Sequence, residues 1–230
     1  MRAGAHRCTF CSIAPAGELP AGETQSLCLS PQEHMSDWKR LDAQLARWSS
    51  KLTDDLGISP RDASRLATVI AREVSGLTQG SKTRLLAASR VPLQDRLSEL
   101  QAFEAWMGLA SAANTPAVTR AQVITQNYVC FVYLRDDWFH ILREVAAPGC
   151  ATSRSATFLT EDPVRAFRNA FSHGNWRYRD DFAALQFWAR RNGKGPEVEW
   201  QVEQTELEFW QALSRCLAYA SIQTLADAAA

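Results

Sequence analysis

From Ser36 onward, apolar residues recur at spacings of three and four. Trp38, Leu41, Leu45, Trp48 and Leu52 fall on one stripe, as the buried face of an amphipathic helix requires, and Gly57 marks its stop. Ser59 followed by Pro60 opens the next helix: the serine hydroxyl accepts from a free N–H of the first turn, and proline lacks the N–H that would go unpaired there. Leu66, Val69, Ile70, Val74 and Leu77 form its buried face. A third helix, from Pro92 to about Ala112, carries Leu93, Leu97, Leu100, Phe103 and Met107, and "ANTP" breaks it.

Residues Ala117 to Ala146 contain no Gly or Pro and read as one long helix. Tyr128, Phe131, Tyr133, Trp138 and Phe139 make it apolar on several sides, which predicts burial between partners. "APGC" ends it and a polar loop follows. "TEDPVRAFRNAFSHG" then reads as a helix capped by Thr160, with acidic residues in its first turn and Gly174 as its stop. Next the period changes to two. "ALQFWAR" and "PEVEWQVE" flank "RNGKG", whose Asn-Gly step predicts a β-hairpin. A last helix opens near Thr205, with Glu208 in capping-box spacing. The fold class expected is therefore all-α, a helical bundle with a small β-hairpin inserted before the last helix.

Residues 1–34 lack this periodicity and are rich in Pro, Gly, Ser and Thr, so they read as an irregular leader before a single helical domain over 35–230. Gln32-Glu33 just before Met35 is what a translated ribosome-binding site would leave, which makes Met35 a candidate natural start. Charge is balanced, 25 basic against 25 acidic residues with a pI near 6.9. That speaks against coating nucleic acid by net charge and leaves room for a local basic site. Of six cysteines only Cys8 and Cys11 form a C-x-x-C pair; Cys28 and His34 are the nearest further donors, so half of a zinc ligand set is missing and no metal or other cofactor is expected. No apolar run has the length of a secretory signal or a membrane span, so a cytoplasmic protein with reduced thiols is expected.

Two of the four histidines stand five residues after an arginine: His140 after Arg135 in "RDDWFH" and His173 after Arg168 in "RNAFSH". The spacing is permissive, since it occurs twice. Arg135 and His140 sit within a helix and point about 140° apart, which favours a packed histidine and an arginine paired with an acid. His173 stands at a helix end, where Gly174 lets the backbone leave the helix and the imidazole approach the face of Arg168 or Asn169. Arg165, Arg177, Arg179, Arg190, Arg191 and Lys194 make this the most basic neighbourhood of the chain. Arginine forks bind phosphate, and Trp176 or Tyr178 offers a ring to stack on a base.

"RNAFSHG" resembles the signature of the HEPN superfamily (higher eukaryotes and prokaryotes nucleotide-binding): an arginine, a polar residue and a histidine four to six residues beyond the arginine. Arg168, Asn169 and His173 match it, and the run "RNAFSHGNWRY…FWARRNGKG" is similar to the plasmid-encoded, toxin-like branch. The resemblance spans roughly Ala117 to Ala220, with a HEPN-like core expected at about 117–230. It implies a bundle of the HEPN type that forms a homodimer, the two motifs facing across the interface. It also implies a metal-independent endoribonuclease of toxin–antitoxin or phage-defence biology, open to an antitoxin or regulatory partner. In that chemistry His173 moves the proton, Arg168 holds the scissile phosphate and its charge, and Asn169 orients either. Arg165, Trp176, Arg177 and Tyr178 would bind RNA, and the products would carry 2′,3′-cyclic phosphate and 5′-hydroxyl ends. Some members place a tyrosine, modified by a partner nucleotidyltransferase, two residues after the histidine; Asn175 stands there in this chain. The alternatives are a non-catalytic HEPN module that binds RNA or nucleotide or mediates assembly, and a helical interaction protein in which the run is accidental.

Overall fold

The computed structural model describes residues 31–89, 91–110, 115–191 and 194–229. Cys8, Cys11, Cys28 and His6 lie outside the described residues, as does the expected leader except for its last four positions, which open the first helix. Helices α1 (Pro31–Ala46), α2 (Ser49–Asp54), α3 (Pro60–Ala63), α4 (Leu66–Ser75), α5 (Gln79–Ala88) and α6 (Leu93–Ala110) come first. Next are α7 (Ala117–Phe131), a 3-10 turn over Tyr133–Arg135, α8 (Asp136–Val145), α9 (Ala151–Thr160) and α10 (Val164–Ser172). Strands β1 (Trp176–Tyr178), β2 (Ala184–Arg190) and β3 (Glu197–Glu203) lead into the last helix, α11 (Gln204–Ala229).

The expected all-α bundle of the HEPN type with a two-stranded hairpin is corrected here. The chain is mainly helical but carries a three-stranded antiparallel sheet in the order β1-β2-β3. Trp176 pairs with Phe187 and Tyr178 with Leu185, while across β2 Leu185 pairs with Val202 and Phe187 with Trp200. Strand β1 has only three residues, too few for an alternating pattern to stand out in the sequence. β3 passes into α11 without a loop: Gln204 starts the helix and donates its N–H to the Ala183 carbonyl at 3.0 Å. Thr205 is thus the second helical residue, not the cap.

Helix α11 occupies the centre. Its 26 residues are buried on every side from Leu207 to Ala226 apart from Glu208 and Thr224, and α1, α4, α6, α7 and α9 pack around it. Ala212, Ser214, Cys216, Ala218, Ala220 and Ser221 keep the cylinder thin enough for close neighbours. Three of its buried polar side chains find partners on neighbouring helices: Gln211 donates to the Ile124 carbonyl (2.7 Å), and Ser221 and Gln223 accept from the indole N–H groups of Trp138 and Trp38 (3.2 Å each).

Further expectations change. The helix expected along the Trp38–Leu52 stripe is two, α1 and α2, and the one opened by Ser59 and Pro60 is also two, α3 and α4, parted at Arg65 (φ −144°, ψ 40°). The long helix over 117–146 breaks at Val132 (φ −107°, ψ −61°). An unbroken helix could not serve both sets of neighbours: α7 packs on α6 and α11, while α8 packs on α5 and α9. Helix α5, with Leu85 as its one buried residue and Thr78 as its cap, shows no apolar stripe. The polar loop before α10 is also a helix, α9, and Thr160 closes it by donating to the Ala156 carbonyl at 2.8 Å. Its Thr152, Ser155 and Thr160 are buried beside Ala151, Ala156 and Leu159, so polar residues interrupt its inner face and it escapes a hydrophobicity pattern.

Glu73 of α4 secures α9 from a distance. Its carboxylate accepts from the N–H groups of Ala151 (3.2 Å) and Thr152 (2.8 Å) and from the Thr152 hydroxyl (2.6 Å). A carboxylate at a helix N-terminus meets both free donors and the positive end of the dipole. Glu73→Ala is expected to lower stability by about 2 kcal/mol, since charged hydrogen bonds to a half-buried helix end are lost. Urea titration should show a lower midpoint at unchanged slope; an unmoved midpoint would mean that water replaces the carboxylate.

Candidate functional site

Helix α10 is anchored by its apolar face. Phe167 is fully buried, with Tyr128 of α7, Phe187 of β2 and Trp210 of α11 at ring-centroid distances of 4.6, 5.0 and 6.1 Å. The helix ends at His173, and Gly174 takes the left-handed conformation (φ +71°) that lets the chain turn away. The Asn175 N–H reaches back to the Ala170 carbonyl (2.8 Å) and the Gly174 N–H to that of Phe171 (3.3 Å), the two bonds of a Schellman cap. The Asn175 carbonyl accepts from Trp188 N–H at 3.1 Å, which ties this corner to β2.

His173 is exposed at that corner. With Asn169 one turn earlier, it lines a cleft of about 370 Å³ whose other wall includes Trp188, Arg190 and Glu197 of the sheet. Arg168 is engaged on another side. Its Nη1 forms an ion pair with Oδ2 of Asp136, the first residue of α8, and the same oxygen lies 3.5 Å from Nε2 of His140. The two Arg-x4-His runs therefore interlock: the arginine of one meets the histidine of the other across a shared carboxylate. Arg168 and Asp136 retain 23% and 18% side-chain exposure and His140 retains 45%, so the cluster reaches solvent through the imidazole. Tyr128 lies beneath; burial pushes its phenol far up, and the Arg168 cation opposes only part of that rise.

Arg135 takes no part in this cluster. It is buried and pairs with Glu99 at 3.2 Å; burial pushes its guanidinium down, and the Glu99 bond opposes that. The residues expected to contact RNA divide in the same way. Arg165 bonds Asp162 at 3.0 and 3.1 Å. Trp176 stacks on Phe171 (5.1 Å, 14° between planes), and the Tyr178 hydroxyl bonds Thr125 at 2.8 Å. Burial raises the Tyr178 phenol, with the Thr125 bond opposing, so this ring stays neutral at ordinary pH. Both aromatic rings thus pack against the helices, whereas Arg177, between them on the strand, is exposed and reaches Gln186 at 2.9 Å. Arg179 bonds Asp181 and holds its carboxyl down at about 2.

Asp136 and His140 were not expected at the site. The signal for them was present: Asp136 and His140 are one turn apart in "DDWFH", on one helix face. Nothing in the sequence links that face to Arg168. Chemically, the surface carries an oriented cation, two imidazoles and the Asn169 amide. Among the described residues no group of three His, Cys, Asp or Glu side chains is disposed to hold a metal ion.

Asp136→Asn keeps the shape and removes the charge opposite Arg168. Stability should fall by about 1–2 kcal/mol, less than for a fully buried pair because both partners touch solvent. Chemical denaturation checks this, and a variant as stable as the parent would show that the pair is solvated and structurally idle. Comparison of the chain with family models, with curated proteins and with solved structures gives no match.

Proposed function

We propose that the chain is a cytoplasmic endoribonuclease that cuts RNA without a metal ion, by attack of the 2′-hydroxyl on the adjacent phosphodiester. The products are a 2′,3′-cyclic phosphate and a 5′-hydroxyl end. One observation carries this reading: an exposed His173 and the Asn169 amide share a cleft at the end of α10, next in sequence to the aligned cation Arg168. In this reaction His173 accepts the 2′-hydroxyl proton and Arg168 balances the charge that gathers on the phosphorane, while Asn169 holds a phosphate oxygen or the imidazole. The leaving 5′-oxygen needs a proton from a second donor. A second copy of the chain would provide it from its own His173, as the similarity of "RNAFSHG" to the HEPN ribonucleases implies. His140, beside Arg168, offers an imidazole within the same chain. Absence of any described helix long and apolar enough to cross a membrane is compatible with action on cellular RNA, and an antitoxin or other regulatory partner fits such a toxic activity.

A second reading, an RNA- or nucleotide-binding module without catalysis, is favoured by the Arg168–Asp136 ion pair, which gives Arg168 a structural partner joining α10 to α8. Labelled RNA incubated with the purified chain in EDTA separates the two. Cleavage with cyclic-phosphate ends is expected, reduced about 10²–10⁴-fold in His173→Ala and similarly in Arg168→Ala, with circular dichroism unchanged. Equal products from the parent and His173→Ala would end the catalytic reading; binding without cleavage would establish the module. His140→Gln tells where the second proton comes from. Unchanged rates in a dimer, measured by sedimentation, point to the partner copy, and a loss comparable to that of His173→Ala points to His140.

A further inference from the structure

A cavity of about 740 Å³ opens between α1, α6, α7 and α11, none of which carries Arg168 or His173. Its charged lining is Arg40, Arg47, Arg120 and Arg215 against Glu104 and Glu208, an excess of two positive charges. Arg40 pairs with Glu104, and Arg47 lies over the Trp48 ring at 5.1 Å. Arg120 is exposed, with no carboxylate partner among the described residues. The floor is unusual. Arg215, in the middle of α11, is only 8% exposed, yet it forms no ion pair among the described residues. It lies over the Phe131 ring at 5.4 Å and has a 3.8 Å contact from Nη1 to the Met107 sulfur, and its Nε has no hydrogen-bond partner. Beside it Asn127, 4% exposed, has an unpartnered Oδ1.

A guanidinium at this depth loses hydration that a thioether and an aromatic face do not replace. An anion entering the cavity would restore it. We propose that this cavity is a binding site for a small phosphate-bearing molecule, its phosphate held by Arg215 from the floor and Arg120 from the mouth. The chemistry fits on three counts. Guanidinium forks recognise phosphate through paired N–H donors. The excess of two positive charges matches a phosphomonoester dianion. The volume lies within the range of small-molecule sites and leaves room for an organic portion of nucleoside size, whose donors would meet the Asn127 oxygen.

The test uses the full chain with inorganic phosphate, pyrophosphate and adenosine monophosphate at matched ionic strength, read by thermal denaturation and calorimetric titration. Citrate serves as the carboxylate control. At least one phosphate probe should raise Tm by about 5 °C or more at roughly a hundredfold excess over Kd, and citrate should not. Arg215→Met keeps the packing on Phe131 and removes the charge, so it should raise Tm of the unliganded chain and abolish the shift. Arg120→Gln, at the exposed mouth, should weaken binding at least several-fold with the unliganded Tm unchanged. The proposal is overturned by no shift with any phosphate probe, by an equal shift with citrate, or by a single-stranded RNA that binds where the small probes do not. It is overturned equally if both variants keep the parent's response, or if Arg215→Met fails to fold while Arg120→Gln binds like the parent.

Discussion

A helix buried on all sides is the constraint around which the molecule is arranged. Between Leu207 and Ala226 helix α11 leaves almost no residue to solvent, so a polar group there carries a cost unless it finds a partner inside the protein. Trp38, Trp138 and the Ile124 carbonyl provide three such partners, and each comes from a different surrounding helix. Satisfying α11 therefore fixes the rotation of α1, α7 and α8 about it, beyond what nonspecific apolar contact would do. Because β3 runs into α11 without a loop, the sheet is positioned by the same helix.

The position of the candidate site follows from that frame. Phe167 ties α10 to α7, β2 and α11 at once, and Arg168 and Asn169 are the next two residues. A helix turns about 100° per residue. Once Phe167 points to the core, Arg168 and Asn169 must leave it on successive bearings, one toward α8 and the other toward the sheet. The division of the motif between an ion-pair cluster and a cleft is thus a consequence of helical geometry, and the Schellman cap then sets His173 one turn beyond Asn169.

Much of this was legible where polarity and burial agree. The inner face of α4 and the strand "ALQFWAR" appear in the structure where the periodicity set them, because their inward residues are apolar and, Trp188 apart, their outward ones are mostly polar. Legibility failed where that agreement fails. Thr152, Ser155 and Thr160 are polar and buried, so α9 read as a loop, and α5 buries too little to show a stripe. Strand β1 is too short to show a period. At the site, the helix end at Gly174 could be read because glycine carries the signal locally. The Arg168–Asp136 pair could not, since it depends on how α8 lies against α10, and that depends on α9 between them in the chain. Trp176 and Tyr178 looked like stacking platforms because aromatic residues beside arginines suit both a core and a nucleic-acid surface; only the packing on Phe171 and the bond to Thr125 distinguish the two.

The ion pair to Asp136 bears on both functional readings, and its geometry limits how far it counts against catalysis. A guanidinium carries several N–H donors in a rigid plane, and Asp136 engages Nη1. A carboxylate on one edge of that plane stiffens it and leaves another edge for a phosphate oxygen, provided the side chain is not sealed. Arg168 retains 23% of its surface, so it is not sealed. A phosphate approaching there would stand near a carboxylate as well as a cation, which weakens ground-state binding. The guanidinium would still face charge that grows during reaction. Interactions that strengthen only as charge develops raise the rate more than they raise affinity. On the catalytic reading proposed above, the oriented, half-neutralised Arg168 beside His140 would therefore serve a reaction better than tight retention of RNA.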